Sequence, residues 1–280
     1  MRCFSVHLKE HFTFLGESCC DAIVDAYLPY NMTELHLENI RRPSIIICPG
    51  SGYSLCSQRD AEPVALQYLR EGYNAFVLWY SVAPHRFPQA LREVAATVEL
   101  IHQNAAEWNC DENRVAVIGF SAGGHLAAMY SNAYNWSEVR EVFPQSKPVQ
   151  ASILCYPVIT AVREITHWGS FESLLGQSSL NDEQVQRFSC DRLVNESTPP
   201  TFIWHTAEDD CVPVQNSLLY ATALATHHVA FEMHIFPYGH HGISTCVQET
   251  LEVELTPRIQ HAQSWVGECC RWLKLQWNEL

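Results

Sequence analysis

A chain of 280 residues with 47% hydrophobic and 17% charged side chains can bury a large core and is too apolar to stay disordered. Its formal charge is −14, from 17 basic and 31 acidic residues. That surface repels phosphate backbones and anionic membranes, so nucleic-acid and membrane partners are disfavoured, while neutral substrates are unaffected.

Residues 1–10 carry no long apolar run and no small-residue cleavage site, and no run approaches the ~20 apolar residues that span a bilayer. The expectation is a soluble cytoplasmic protein of one domain, residues 1–280. The twelve cysteines show no zinc-type spacing. Cys19–Cys20 and Cys269–Cys270 are vicinal and poorly shaped as ligands, and Cys48 and Cys155 lie in apolar runs, so reduced thiols are expected.

In chain order, residues 23–28 read as an early strand. Ser44–Cys48 is an apolar strand ended by Pro49-Gly50. Ala61–Glu71 has helical spacing and stops at Gly72. Asn74–Trp79 is a strand, and Gln89–Asn104 a helix. Arg114–Gly119 is a strand followed at once by a helix over Ser121–Ser131. Ala151–Tyr156, Thr201–Trp204 and Phe231–Phe236 complete the strands, with helices at 215–226 and 257–275. Strands this apolar are expected to be buried on both faces. Their alternation with helices predicts a mainly parallel sheet. Residues 160–198 exceed an ordinary connection and are a candidate cap over a site.

Chemistry concentrates at four places. Gly119-Phe120-Ser121-Ala122-Gly123 is GxSxG between a strand and a helix, the context of a nucleophile elbow. Ser121 at the tip would be exposed at a helix N-terminus, with the Ala122 N–H free for a developing oxyanion. Upstream, Pro49-Gly50-Ser51-Gly52-Tyr53 follows a strand, and the N–H groups of Ser51 and Gly52 are further oxyanion donors. The acid should follow a late strand and the base the last one. Thr201–Thr206 is followed by Glu208, Asp209 and Asp210, of which Asp209 is favoured. Phe231–Phe236 is followed by Gly239-His240-His241-Gly242, where the glycines favour His241 over His240. His125 is expected to pack or hydrogen-bond behind the elbow. This chemistry needs no metal or cofactor.

These residues carry a family resemblance. WYSVAPHRFPQALR at 79–92 resembles the Tyr-Arg-Leu-Ala-Pro-Glu-His-Pro-Phe-Pro block of hormone-sensitive-lipase-like esterases. Together with PGSGY, GFSAGGHLA, TPPTFIWHTAEDDCVPVQNSLLYATAL and HIFPYGHHG, it is similar to bacterial acetyl-xylan and related carbohydrate esterases of the α/β-hydrolase superfamily. The resemblance runs from about residue 40 to 245 and implies an α/β-hydrolase fold. It puts the nucleophile on Ser121, the acid of Asp-x-x-Val-Pro on Asp209 and the base of His-Gly on His241. Pro49-Gly50-Ser51-Gly52 departs from the His-Gly-Gly-Gly of lipase-like relatives, and the Ser51 side chain would narrow the acyl pocket toward acetyl. The implied substrate is an acetylated carbohydrate, in a cytoplasm imported xylo-oligosaccharides, with Tyr53, Tyr80 and Trp168 as candidates to stack on sugar rings. Two other readings stand beside it: an arylformamidase-type amide hydrolase, and a hydrolase fold kept only for binding.

Overall fold

The computed structural model describes residues 1–16 and 21–278, so the Cys19–Cys20 pair lies outside the described residues. Eight strands form one sheet: β1 Arg2–His7, β2 Ile23–Leu28, β3 Arg42–Cys48, β4 Asn74–Trp79, β5 Cys110–Phe120, β6 Ala151–Cys155, β7 Thr201–Thr206 and β8 Phe231–Phe236. Their order is β1-β2-β4-β3-β5-β6-β7-β8. The strands from β3 to β8 pair in parallel, while β1 and β2 are antiparallel additions at one edge. The mainly parallel sheet flanked by helices is the α/β-hydrolase architecture.

The period of two along each strand divides the core. Ile46, Cys48, Phe76, Leu78, Val117 and Leu154 face helices α2 (Gln89–Gln103), α3 (Ala122–Ala133) and α6 (Gln215–Thr226). Ile45, Ile47, Val77, Ile118, Ile153 and Trp204 face α1 (Glu62–Arg70) and α7 (Trp265–Gln276). Each such aliphatic side chain, fully removed from water, contributes about 1.5–3 kcal/mol against the entropy of ordering it. The indoles of Trp204 and Trp265 stack with centroids 5.0 Å apart and fasten α7 to the middle of the sheet.

Three expectations need correction. β1 was not anticipated: its residues alternate between partly buried and exposed, because it is an edge strand paired only with β2. β8 is not buried on both faces. It is the opposite edge, and Phe231 and Ile235 are 39% and 38% exposed on a face only partly covered. The terminal helix is not continuous over 257–275. A helical turn at Pro257–His261 and a 3-10 turn at Ala262–Ser264 precede α7.

Residues 160–198 fold as a 3-10 turn at Arg163–Ile165, α4 (Trp168–Leu175), α5 (Asp182–Phe188) and a second 3-10 turn at Cys190–Arg192. Asn181 caps α5 with a reciprocal box to Gln184. Among the described residues every cysteine is a free thiol, and no helix is long and apolar enough to cross a membrane.

Candidate active site

Ser121 sits where central strand β5 turns into α3. Its backbone has φ 54° and ψ −117°, a conformation L-residues rarely adopt. The surroundings over-determine it. Its N–H donates to Cys155 O at 3.0 Å, and its carbonyl accepts from the N–H groups of His125 and Val158 at 3.1 and 3.0 Å. The glycines of the motif are packing requirements. A Cβ on Gly119 would lie 2.0 Å from Gly123 O, and one on Gly123 would lie 2.1 Å from Cys48 O.

The loop after β3 runs beside this elbow, with Ser51, Gly52 and Tyr53 all at positive φ (106°, 65° and 57°). Among the described residues the N–H groups of Ser51, Gly52 and Ala122 have no protein acceptor. For Ala122 this follows from its place in the first turn of α3. Several contacts hold the loop, among them the Ala83 N–H on Tyr53 O at 2.8 Å. Tyr80 donates its hydroxyl to Pro49 O at 2.6 Å, and Gly50 donates its N–H to Asp60 Oδ2 at 3.2 Å. The Tyr53 hydroxyl lies 2.9 Å from His125 Nδ1. His125 Nε2 faces the Phe188 carbonyl at 2.9 Å and must donate to it, so Nδ1 accepts from Tyr53.

This corrects the expectation for Tyr53 and Tyr80. They are 2% and 3% exposed, with their hydroxyls engaged, and present no face to a sugar. They position the loop instead. His125 is buried behind the elbow, and burial lowers its pKa to about 4, so it is neutral at neutral pH. Asp60 is also buried. Burial pushes its carboxyl up, while hydrogen bonds from Ser244 and Gly50 work against that.

His241 lies in the loop after β8. Its Nε2 is 2.8 Å from Ser121 Oγ, and its Nδ1 is 2.7 Å from Asp209 Oδ2. Nδ1 faces a carboxylate and so carries the proton, which leaves Nε2 to accept from the serine. Asp209 follows β7 and its side chain is fully buried. Its Oδ1 accepts from the N–H groups of Cys211 and Val212 at 3.0 and 2.8 Å. Burial alone would raise this carboxyl, but hydrogen bonds from His205 and His241 outweigh it and hold it well below the usual carboxylate range.

The structure thus brings Ser121, His241 and Asp209 into one hydrogen-bonded row. It does not bring the neighbouring candidates there. Glu208 and Asp210 are exposed, and Glu208 accepts from the Gly239 N–H. His240 turns away and donates from Nδ1 to His241 O at 2.7 Å.

His205 was missed by sequence reasoning. It lies inside β7, fully buried, with Nε2 3.1 Å from Asp209 Oδ2 and 3.0 Å from Val212 O. Two acceptors on one nitrogen make it a donor, and Nδ1 then accepts from Ser217 Oγ at 2.8 Å. The available signal was a histidine in an apolar strand four residues before the chosen acid.

A cavity of about 410 Å³ opens over Ser121 and His241. Its wall includes Ser51, Ser54, Ser57, Arg59, Ser173 and Glu252, so it is rich in hydroxyls and charged groups. The 160–198 segment contributes His167, Gly169 and Ser173 to that wall. Trp168, the third candidate for sugar stacking, does not line it. Its ring carries the Arg163 guanidinium at 4.4 Å and borders a separate depression with Leu180 and Val185. The helical turn that sends His167 inward sends Trp168 outward. Among the described residues no group of three or more metal-ligating side chains comes together.

A family model described as BD-FAE matches residues 24–224. The chain is 36% identical over 233 residues to endo-1,4-beta-xylanase B of Butyrivibrio fibrisolvens, covering 80% of this chain and 36% of that protein. It is 31% identical over 209 residues to an acetylxylan esterase of Xylanibacter ruminicola, covering 73% of this chain and 42% of that one. The chain therefore spans less than half the length of these curated relatives. Among solved structures it is similar to an acetyl ester-xyloside bifunctional hydrolase from Caldicellulosiruptor lactoaceticus, with TM-score 0.77 and 36% identity over 91% of this chain and 88% of that one. It is also similar to the carboxylesterase Cest-2923 of Lactobacillus plantarum, with TM-score 0.79 and 29% identity over 91% and 92% of the two chains. The chain belongs to the BD-FAE family, within the α/β-hydrolase superfamily.

Proposed function

We propose that this protein is a serine esterase that removes acetyl groups from carbohydrate, with acetylated xylo-oligosaccharides as substrate. The observation that carries the chemistry is the row Ser121–His241–Asp209, at 2.8 and 2.7 Å, beside three unpaired N–H groups. His241 takes the Ser121 proton as the oxygen attacks the ester carbonyl, and Asp209 stabilises the resulting imidazolium. The N–H groups of Ser51, Gly52 and Ala122 receive the oxyanion, each such donor being worth about 3 kcal/mol in the transition state. His241 returns the proton to the departing sugar oxygen. The acetyl-enzyme is then cleaved by water that His241 activates in turn.

The substrate class rests on the cavity wall. Hydroxyls and charged groups suit a hydroxylated alcohol and offer no apolar cleft for a long acyl chain. The similarity to an acetylxylan esterase and to an acetyl ester-xyloside bifunctional hydrolase supports the same reading.

The test is acetate release from acetylated xylo-oligosaccharides by the wild type and Ser121→Ala. The expected result is acetate from the wild type and a loss of at least about a thousandfold in the variant. Hydrolysis of an aryl acetate without release from the sugar ester would discard the carbohydrate assignment. N-formylkynurenine would then test the arylformamidase alternative. Failure of a fluorophosphonate to label Ser121 would point to a binding protein.

A further inference from the structure

His167 is a polar group in the cavity that the acyl-transfer steps do not use. It precedes α4 on the 160–198 segment and lines the same cavity as Ser121 and His241. Its ring is held from one end, because Nδ1 lies 2.8 Å from the Oγ of Ser170, which is fully buried. Nε2 has no protein partner among the described residues. The ring edge at Cε1, between Nδ1 and Nε2, is flanked by glycine on both sides, and only Gly169 comes near Nε2 itself. A Cβ on Gly52 would come 3.4 Å from Cε1, and a Cβ on Gly169 would come 3.3 Å from Cε1 and 3.7 Å from Nε2. Any larger residue at either position would crowd or cover that edge. Gly52 also belongs to the loop that presents oxyanion donors, so the His167 ring lies beside that loop in the cavity it shares with Ser121.

We propose that His167 Nε2 binds a free hydroxyl of the alcohol part of the ester, and so selects esters of sugars and other polyols over simple alkyl and aryl esters. An acetyl group has no hydroxyl, so the only hydroxyls such a substrate brings into the cavity are on its alcohol part. A hydroxyl both donates and accepts, and so matches Nε2 in either tautomer set by Ser170. Burial, with His241 as a lesser cause, holds the His167 pKa below the ordinary histidine value, which makes it a neutral partner for a neutral group. A site built to hydrogen-bond a hydroxyl discriminates against analogues that lack it, because its polar group is then left unpaired.

This assignment rests on the carbohydrate-ester reading, and the experiment separates the two. For wild type, His167→Leu and His167→Gln, kcat/KM is measured on acetylated xylo-oligosaccharides and on 4-nitrophenyl acetate. Inhibition of the aryl reaction by unacetylated xylobiose is measured alongside. The expected result for His167→Leu is a fall of about tenfold or more in the ratio of sugar-ester to aryl-ester kcat/KM, with a comparable weakening of xylobiose inhibition. His167→Gln, which keeps a hydrogen-bonding end, should recover part of both. A ratio and an inhibition constant that stay at wild-type values would overturn the role of His167, including the case where both activities fall together. A wild type that neither cleaves the sugar esters nor is inhibited by xylobiose would fail the carbohydrate reading itself, and this assignment with it.

Discussion

Asp209 carries four hydrogen bonds on a fully buried carboxylate: one each from His205 and His241 to Oδ2, and two peptide N–H groups to Oδ1. A buried charge of this kind persists only when it is so thoroughly paired. His205 therefore acts on the proposed chemistry through Asp209, as a positioning residue. Replacing it by Leu removes one donor, so the Asp209 carboxyl protonates at higher pH than in the wild type. It also leaves Ser217 Oγ and Val212 O unpartnered in the interior. The expected outcome for His205→Leu is a fall of about tenfold in kcat on 4-nitrophenyl acetate with KM nearly unchanged. The acid limit of the rate profile should move upward, and stability should drop by about 1–3 kcal/mol. A pH profile that superimposes on the wild type would remove His205 from the mechanism. At this scale the sequence made Ser121, Asp209 and His241 legible because chain order and flanking glycines single them out. His205 was hidden because a strand residue shows its direction only when the strand's register is known. Tyr53 and Tyr80 misled for a related reason. Tyr53 looks like a sugar platform until the positive φ angles of its loop turn it inward, and Tyr80, just after β4, spends its hydroxyl on Pro49 O.

The elbow is a property of three elements packed without side chains between them: β3, β5 and α3. The Gly123 Cα meets the Cys48 carbonyl at the end of β3, and that backbone cannot yield without breaking its pairing with β5. Gly123→Ala should cost more than about 3 kcal/mol, read as loss of soluble folded protein or a large drop in Tm. Gly267 gives the opposite expectation. It lies within α7, and a Cβ there would meet nothing within 4 Å. Gly267→Ala should stabilise by about 0.5–1 kcal/mol through helix propensity alone, raising Tm by about 1–3 °C. If both alanines behaved alike, the packing account of the motif would fail. Legibility followed the same division. The central strands, with unbroken runs such as Ile45-Ile46-Ile47, announce burial on both faces. β1 does not, because an edge strand that alternates exposed and part-buried residues lacks such a run. The break before α7 has a local cause that the apolar spacing conceals, since Thr256 and Pro257 start a separate turn capped by the Thr256 hydroxyl on the Ile259 N–H.

Across the whole molecule, His125 joins the loop after β3, the nucleophile helix and the 160–198 segment, through Tyr53 on one nitrogen and Phe188 O on the other. It can make both bonds only as the neutral tautomer. Its folded-state pKa of about 4 lies below the ordinary 6.5, so the unfolded chain binds more protons between those values. Stability therefore rises with pH across this window, and acidification from pH 7.5 to 5 should remove about 2 kcal/mol through this one group. Other groups titrate over the same range, and the net charge of −14 shrinks toward the isoelectric point near 5.4, so the wild type alone cannot isolate the contribution. His125→Gln can. The amide offers an N–H to Phe188 O and an oxygen to the Tyr53 hydroxyl, keeps the neutral bonding pattern and does not titrate. The gap in unfolding free energy between the two proteins, from equilibrium denaturation at pH 7.5 and pH 5, should change by about 2 kcal/mol in favour of the variant at the lower pH. Because the shared surface charge cancels in that difference, a gap independent of pH would mean that His125 does not hold its three elements as a buried neutral imidazole. The joint between the oxyanion loop and the 160–198 wall would then need another origin.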